Sequence, residues 1–107
     1  YSNEAKHELL NVATSTLEQY GAVSEQTVKE MALGAKNLAN VDVAIAISGI
    51  AGPGGATQDK PVGFVWFCLQ FADKQFTFKQ IFSGDRAQVR MQAIEFALKN
   101  TIEKINL

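Results

Sequence analysis

The octapeptide VDVAIAIS (residues 41–48) limits the folds open to this chain more than any other stretch. It is apolar except at Asp42 and Ser48 and β-branched at every second position, the pattern of a strand buried on both faces. Such a strand needs a neighbour on each side and a layer above and below. It runs directly into SGIAGPGGATQDKPVG (residues 48–63), which holds five of the eight glycines and both prolines. Loops at the carboxyl ends of buried strands are where open α/β sheets place their ligands.

The remaining elements follow from spacing and capping signals. SNEAKHELLNV (2–12) reads as a helix with Ser2 or Asn3 as N-cap, and STLEQY (15–20) as a short one stopped by Gly21. VSEQTVKEMALGAKNLAN (23–40) is the clearest helix: Ser24 caps it, Val28, Met31, Ala32, Ala35 and Leu38 recur at helical spacing, and Asn40 ends it. VGFVWFCLQFA (62–72) and QFTFKQIF (75–82), separated by Asp-Lys, read as a β-hairpin. Ser83 or Asp85 caps a final helix over 86–105, whose apolar side includes Val89, Ala93, Phe96, Ala97 and Ile105. The order predicts a single α/β domain over residues 1–107, a small layered sandwich with a mixed β-sheet flanked by helices. Three strands make a thin sheet, and the chain starts with Tyr1 rather than Met. The expectation is that N-terminal elements are missing and that a neighbour for VDVAIAIS lies upstream.

Composition excludes several classes. A net charge of −1, with 10 Lys and Arg against 11 Asp and Glu in no basic cluster, provides no nucleic-acid surface. The longest uncharged stretch, Val43 to Gln58, is broken by glycines and Pro53, so no membrane-spanning helix is expected. Nothing resembles a signal peptide. Cys68, the only cysteine, sits in FVWFCLQF and reads as a small buried apolar residue, and a cytoplasmic setting fits.

In the loop, Gly49, Gly52, Gly54 and Gly55 permit positive φ and leave backbone N–H groups free to converge on an anion, with Lys60 nearby as a positive charge. The P-loop and the dinucleotide fingerprint are both excluded. Each opens a helix, this loop leads into a strand, and no Lys-Ser or Lys-Thr follows the glycines. A rigid inter-strand connection without a ligand is the alternative.

Four segments carry a resemblance: YSNEAK (1–6), GAVSE (21–25), SGIAGPGGATQDKPVGFVWF (48–67) and FSGDRAQVR (82–90). Together, and in this order, they resemble the CinA C-terminal domain family, which includes the nicotinamide mononucleotide amidases. The resemblance implies hydrolysis of the carboxamide of nicotinamide mononucleotide to nicotinic acid mononucleotide and ammonia, with no metal and no organic cofactor. It implies a small-molecule mononucleotide as partner rather than nucleic acid or membrane, and a homo-oligomer is expected. The family's nucleophile is a serine in a Glu-Ser-Cys-Thr-Gly-Gly-like segment, assisted by a tyrosine and a lysine that match Tyr1 and Lys6.

A serine hydroxyl attacks only when a base takes its proton, and a lysine serves once desolvation lowers its pKa. Ser48 and the loop glycines match substrate-binding positions, and Arg86 matches an arginine whose fork suits a phosphate. Taken alone, Lys6 reads as a solvated helix lysine, Tyr1 as a frayed terminus, Ser48 as a strand-end residue bonding backbone, and Arg86 as a surface residue. His7, the only histidine, reads as a solvent-facing helix residue. No Glu-Ser-Cys-Thr-Gly-Gly-like segment is present, so the catalytic serine is expected upstream of Tyr1, and the chain alone is expected to be inactive. Two alternatives remain: a non-catalytic nucleotide-binding or protein-interaction module, and a fragment that associates with itself or with its missing piece.

Overall fold

The computed structural model describes residues 3–105, which form α1 (Asn3–Leu10), α2 (Thr14–Tyr20), α3 (Glu25–Ala39), β1 (Val43–Gly49), β2 (Phe64–Phe71), β3 (Lys74–Ile81) and α4 (Arg86–Ile105). Local signals explain most of the boundaries. Ser24 Oγ accepts from Thr27 N at 3.2 Å at the start of α3, and Asn40 closes that helix in the left-handed conformation with φ 53°. Asp85 and Gln88 begin α4 with a reciprocal pair. Gln88 N donates to Asp85 Oδ1 at 2.9 Å, and Asp85 N donates to Gln88 Oε1 at 2.8 Å. Ser2, one of the two cap candidates for α1, lies outside the described residues.

Helix α2 has no side-chain cap of its own. Its start is instead held by Glu30 of α3, which accepts from Ala13 N at 2.8 Å and Thr16 Oγ1 at 2.6 Å.

The sheet order is β1-β2-β3, with antiparallel pairing throughout. Ala46 pairs with Cys68 and Ile47 with Phe67, and Phe67 in turn pairs with Phe78. The layered α/β architecture is the expected one, but the three described strands are not mixed. A parallel pair needs a crossover of a dozen or more residues, usually helical. Here the Gly-Pro loop and a tight hairpin both turn the chain straight back.

The sheet has a core on each side. On one, Ala46 and Cys68 meet Leu10, Val12, Val28, Met31 and Ala32 beneath α1 and α3. On the other, Val65 and Phe67 meet Val89, Ala93 and Ala97 of α4, with Phe78, Phe82 and Phe96 around them. Strand β1 departs from the expected burial on both faces. Ala44, Ala46 and Ser48 are buried, whereas Ile45 and Ile47 are 38% and 39% exposed. Helix α4 seats on β2 and the phenylalanines beside it, leaving the isoleucine face of β1 open. The outer edge of β1 carries no strand among the described residues.

Candidate functional site

The site forms where the Gly-Pro loop meets the α2–α3 turn. Three successive carbonyls of that turn are held by side chains from three directions. Lys60 Nζ donates to Tyr20 O at 2.9 Å. Ser24 Oγ and Thr27 Oγ1 donate to Gly21 O at 3.0 and 2.7 Å. Ser48 Oγ donates to Ala22 O at 2.8 Å. A chain turning sharply between two helices leaves carbonyls without intrahelical donors, and these four side chains satisfy them. GAVSE, glycine-rich loop and strand end are thereby brought to one place. Between them lies an open cleft of about 290 Å³ lined by Tyr20, Val23, Ser24, Glu25, Gln26, Lys60 and Trp66.

The loop is tied at both ends. Ile50 N donates to Phe64 O and Phe82 N to Gly63 O, each at 2.9 Å, and Thr57 N donates to Lys60 O at the same length. Gly52, with φ 86°, precedes a cis peptide bond to Pro53. Its carbonyl accepts from Arg86 Nη1 at 3.1 Å. Of the four glycines expected to cradle an anion, Gly52 and Gly55 have positive φ. Gly49 ends β1, where a Cβ would crowd Val65, and Gly54 has open space around its Cα. The glycines thus serve different ends: a turn at Gly52 and Gly55, and close strand packing at Gly49.

Lys6 is not the solvated lysine that its helix position suggests. It is 6% exposed, and burial lowers its amine pKa from the usual 10.5. Chain reversal after α1 helps to hold it there, because Val12 N donates to Lys6 O at 3.0 Å and Asn11 takes a positive φ of 61°. Neighbouring His7 is exposed, with its Nδ1 2.8 Å from Val12 O. Tyr1 lies outside the described residues.

Each site candidate except Tyr1 therefore has a location. Arg86 and Gly52 are joined directly, and Ser48 is tied to the α2–α3 turn. The hydroxyl proton of Ser48 is committed to a carbonyl, and its side chain is 9% exposed. Sequence reasoning missed Trp66 and Tyr20 as cleft walls. Trp66 alternates with Val65 and Phe67 along β2, and that alternation was the available signal. Lys60, read as a positive charge near the loop, also straps the loop to α2 through its amine. Cys68 is fully buried, and desolvation raises its thiol pKa to about 11, as its apolar setting suggests. Among the described residues no group of three or more His, Cys, Asp or Glu is placed to hold a metal ion. No helix among them is long and apolar enough to cross a membrane.

Comparison with known proteins extends this picture. A family profile described as the CinA C-terminal domain matches residues 1–105. The nicotinamide-nucleotide amidohydrolase PncC of Enterobacter agglomerans is 58% identical over 105 residues, covering 97% of this chain and 64% of that protein. PncC of Escherichia coli K12 is 52% identical over 100 residues, 92% of this chain and 61% of that protein. A CinA-like protein of Petrotoga mobilis is 45% identical over 105 residues, which are only 26% of its length. Among solved structures, a competence-damaged (CinA) superfamily protein of Klebsiella pneumoniae 700603 matches with a TM-score of 0.95 and 43% identity, covering 99% of this chain and 66% of that one. The chain thus spans less than two thirds of the amidohydrolases it matches and about a quarter of the longer relative.

Proposed function

This chain belongs to the CinA C-terminal domain family, and from that premise we propose that it is the greater part of a nicotinamide-nucleotide amidase. The reaction is hydrolysis of the carboxamide of nicotinamide mononucleotide to nicotinic acid mononucleotide and ammonia. The observation that carries the proposal is 58% identity, over 97% of this chain, to a protein named for that activity.

In this reading the nucleophile is a serine supplied from outside these 107 residues. Its oxygen attacks the amide carbon while Lys6 takes its proton. The C–N bond then breaks, and ammonia leaves with that proton. Water cleaves the resulting ester, giving the carboxylate and regenerating the serine. A base is effective when it is unprotonated near working pH, and the desolvation of the Lys6 amine supports that role. Tyr1 orients the amine or relays the proton.

Arg86, Ser48 and the loop glycines bind the nucleotide. Arg86 spends one N–H on Gly52 O, and a guanidinium carries five such donors, so the contact stiffens the loop without exhausting the fork.

The test follows ammonia release from nicotinamide mononucleotide by this chain and by one extended upstream through the expected serine. Release is expected from the extended chain alone. Release from the 107 residues would overturn the serine assignment and turn attention to Ser48. A second reading, a non-catalytic module, draws on the Petrotoga relative, in which the matched region is a quarter of a longer protein. Tight mononucleotide binding without ammonia release by the extended chain would favour it.

A further inference from the structure

The Gly-Pro loop is clamped on both sides of one exposed stretch. On one side Arg86 Nη1 donates to Gly52 O at 3.1 Å. On the other, residues 57–60 close into a knot. Thr57 N donates to Lys60 O at 2.9 Å, and Lys60 N donates to Thr57 Oγ1 at 3.1 Å. Between the clamps lie Pro53, Gly54, Gly55 and Ala56, all exposed, and no hydrogen bond among the described residues engages their backbone. Proline has no N–H, so Gly54, Gly55 and Ala56 hold the donors that this stretch can offer to an anion.

One hydrogen bond ties the knot to another element. Lys60 Nζ crosses 40 positions of sequence to Tyr20 O, the last carbonyl of α2, at 2.9 Å. The last carbonyls of a helix lack intrahelical donors and carry partial negative charge, so a cationic amine suits that place. The anchor is itself firm, because the next two carbonyls of the turn are held by Ser24, Thr27 and Ser48. A lysine beside an anion site can instead donate to the anion. Here the amine already has its acceptor, and the side chain is half-buried.

We propose that Lys60 is a positioning residue for the nucleotide, acting through the loop rather than on the substrate. Its amine and Arg86 fix the two flanks of residues 53–56, so that the N–H groups of Gly54, Gly55 and Ala56 meet an oxyanion of the nucleotide already in place. The proposal rests on the reading that this loop binds the nucleotide, and it names a residue that sets the affinity. A loop ordered before binding need not be ordered during it, and the gain appears as affinity rather than as a faster chemical step.

The test uses the protein as its gene encodes it, with Lys60→Met, which keeps the aliphatic stem, and Lys60→Arg, which restores a cationic donor. Lys60→Met should raise KM for nicotinamide mononucleotide about 10-fold, the worth of one hydrogen bond to a charged group, with kcat within about 2-fold. Lys60→Arg should bring KM back to within about 3-fold of wild type, since a single N–H serves a single carbonyl. Without ligand, hydrogen exchange over residues 54–60 should quicken in Lys60→Met and not in Lys60→Arg. Phe67 and Cys68 in β2 should stay protected in both, which shows an intact sheet. An unchanged KM overturns the proposal, as does a Lys60→Arg variant as impaired as Lys60→Met. So does a raised KM with unaltered exchange, which would make the amine a direct ligand of the nucleotide. If wild type releases no ammonia, the amidase reading falls by itself, and the same comparison is made on the Kd of nicotinamide mononucleotide. Equal Kd values, or no binding by wild type, then overturn the proposal.

Discussion

At Lys6 an amine is held out of water on a short helix, and two consequences can be measured. Its pKa is lowered by desolvation, so as a base it becomes competent at lower pH than an exposed lysine. In the extended chain, kcat/KM for ammonia release should rise with pH through that lowered pKa and then level off. Lys6→Arg, which stays protonated, should cut the rate by about 10²–10⁴-fold. The second consequence concerns stability. Between the lowered folded pKa and the ordinary 10.5, the unfolded chain binds more protons, so Lys6 makes stability rise with pH across that window. Below the folded pKa its cost is constant. Denaturant melts at stepped pH would read this slope, and Lys6→Met should flatten it. Ser48 offers a contrasting case. Removing its hydroxyl in Ser48→Ala frees Ala22 O, and the expected loss is about 1–2 kcal/mol in the same melts.

Among the elements, the α1–α3 crossing positions Lys6, and it turns on Gly34. A Cβ there would collide with the carbonyl of Leu10 at the end of α1. Gly34→Ala should therefore push α1 outward and destabilise the fold by about 2–3 kcal/mol in urea denaturation. Because α1 carries Lys6, the rate should fall with it. A sequence cannot announce this glycine, which sits mid-helix with ordinary φ and is demanded only by a neighbour 24 positions earlier. Ser24 was legible, because a serine before a helical apolar pattern is a local signal. What was not legible is that its hydroxyl also ties down Gly21 O. Ser24→Ala should cost about 1–2 kcal/mol for the cap. It should also loosen the turn that meets Ser48 and Lys60, which hydrogen exchange at Gly21–Val23 would report.

Over the whole molecule, stability is divided between the two cores on either side of the sheet. Phe67, 2% exposed, anchors the α4 side, with Phe96 at 4.7 Å and Phe82 at 6.2 Å between ring centroids. Phe67→Ala should cost about 3–5 kcal/mol in denaturant melts. The opposite side of α4 shows what helical periodicity leaves undetermined. Val89, Ala93 and Ala97 were assigned to the apolar side at the level of sequence, and they are buried. Ile105 was assigned with them and is instead 38% exposed. A helix with aliphatic residues around much of its circumference has no unique inward face until a sheet selects one.

Local chemistry was sufficient for the element order, the caps of α3 and α4, the hairpin and the buried character of Cys68, because each depends on residues a few positions apart. The motif segments were likewise visible as strings. Tertiary structure decided what long-range contact alone can decide: the antiparallel return of the sheet, the open isoleucine face of β1, the burial of Lys6, and the attachment of Lys60, Ser48 and Arg86 to backbone carbonyls. Charge and hydroxyl chemistry can be read residue by residue. The partner that receives each hydrogen bond depends on where chain turns bring distant carbonyls, and that is fixed by packing.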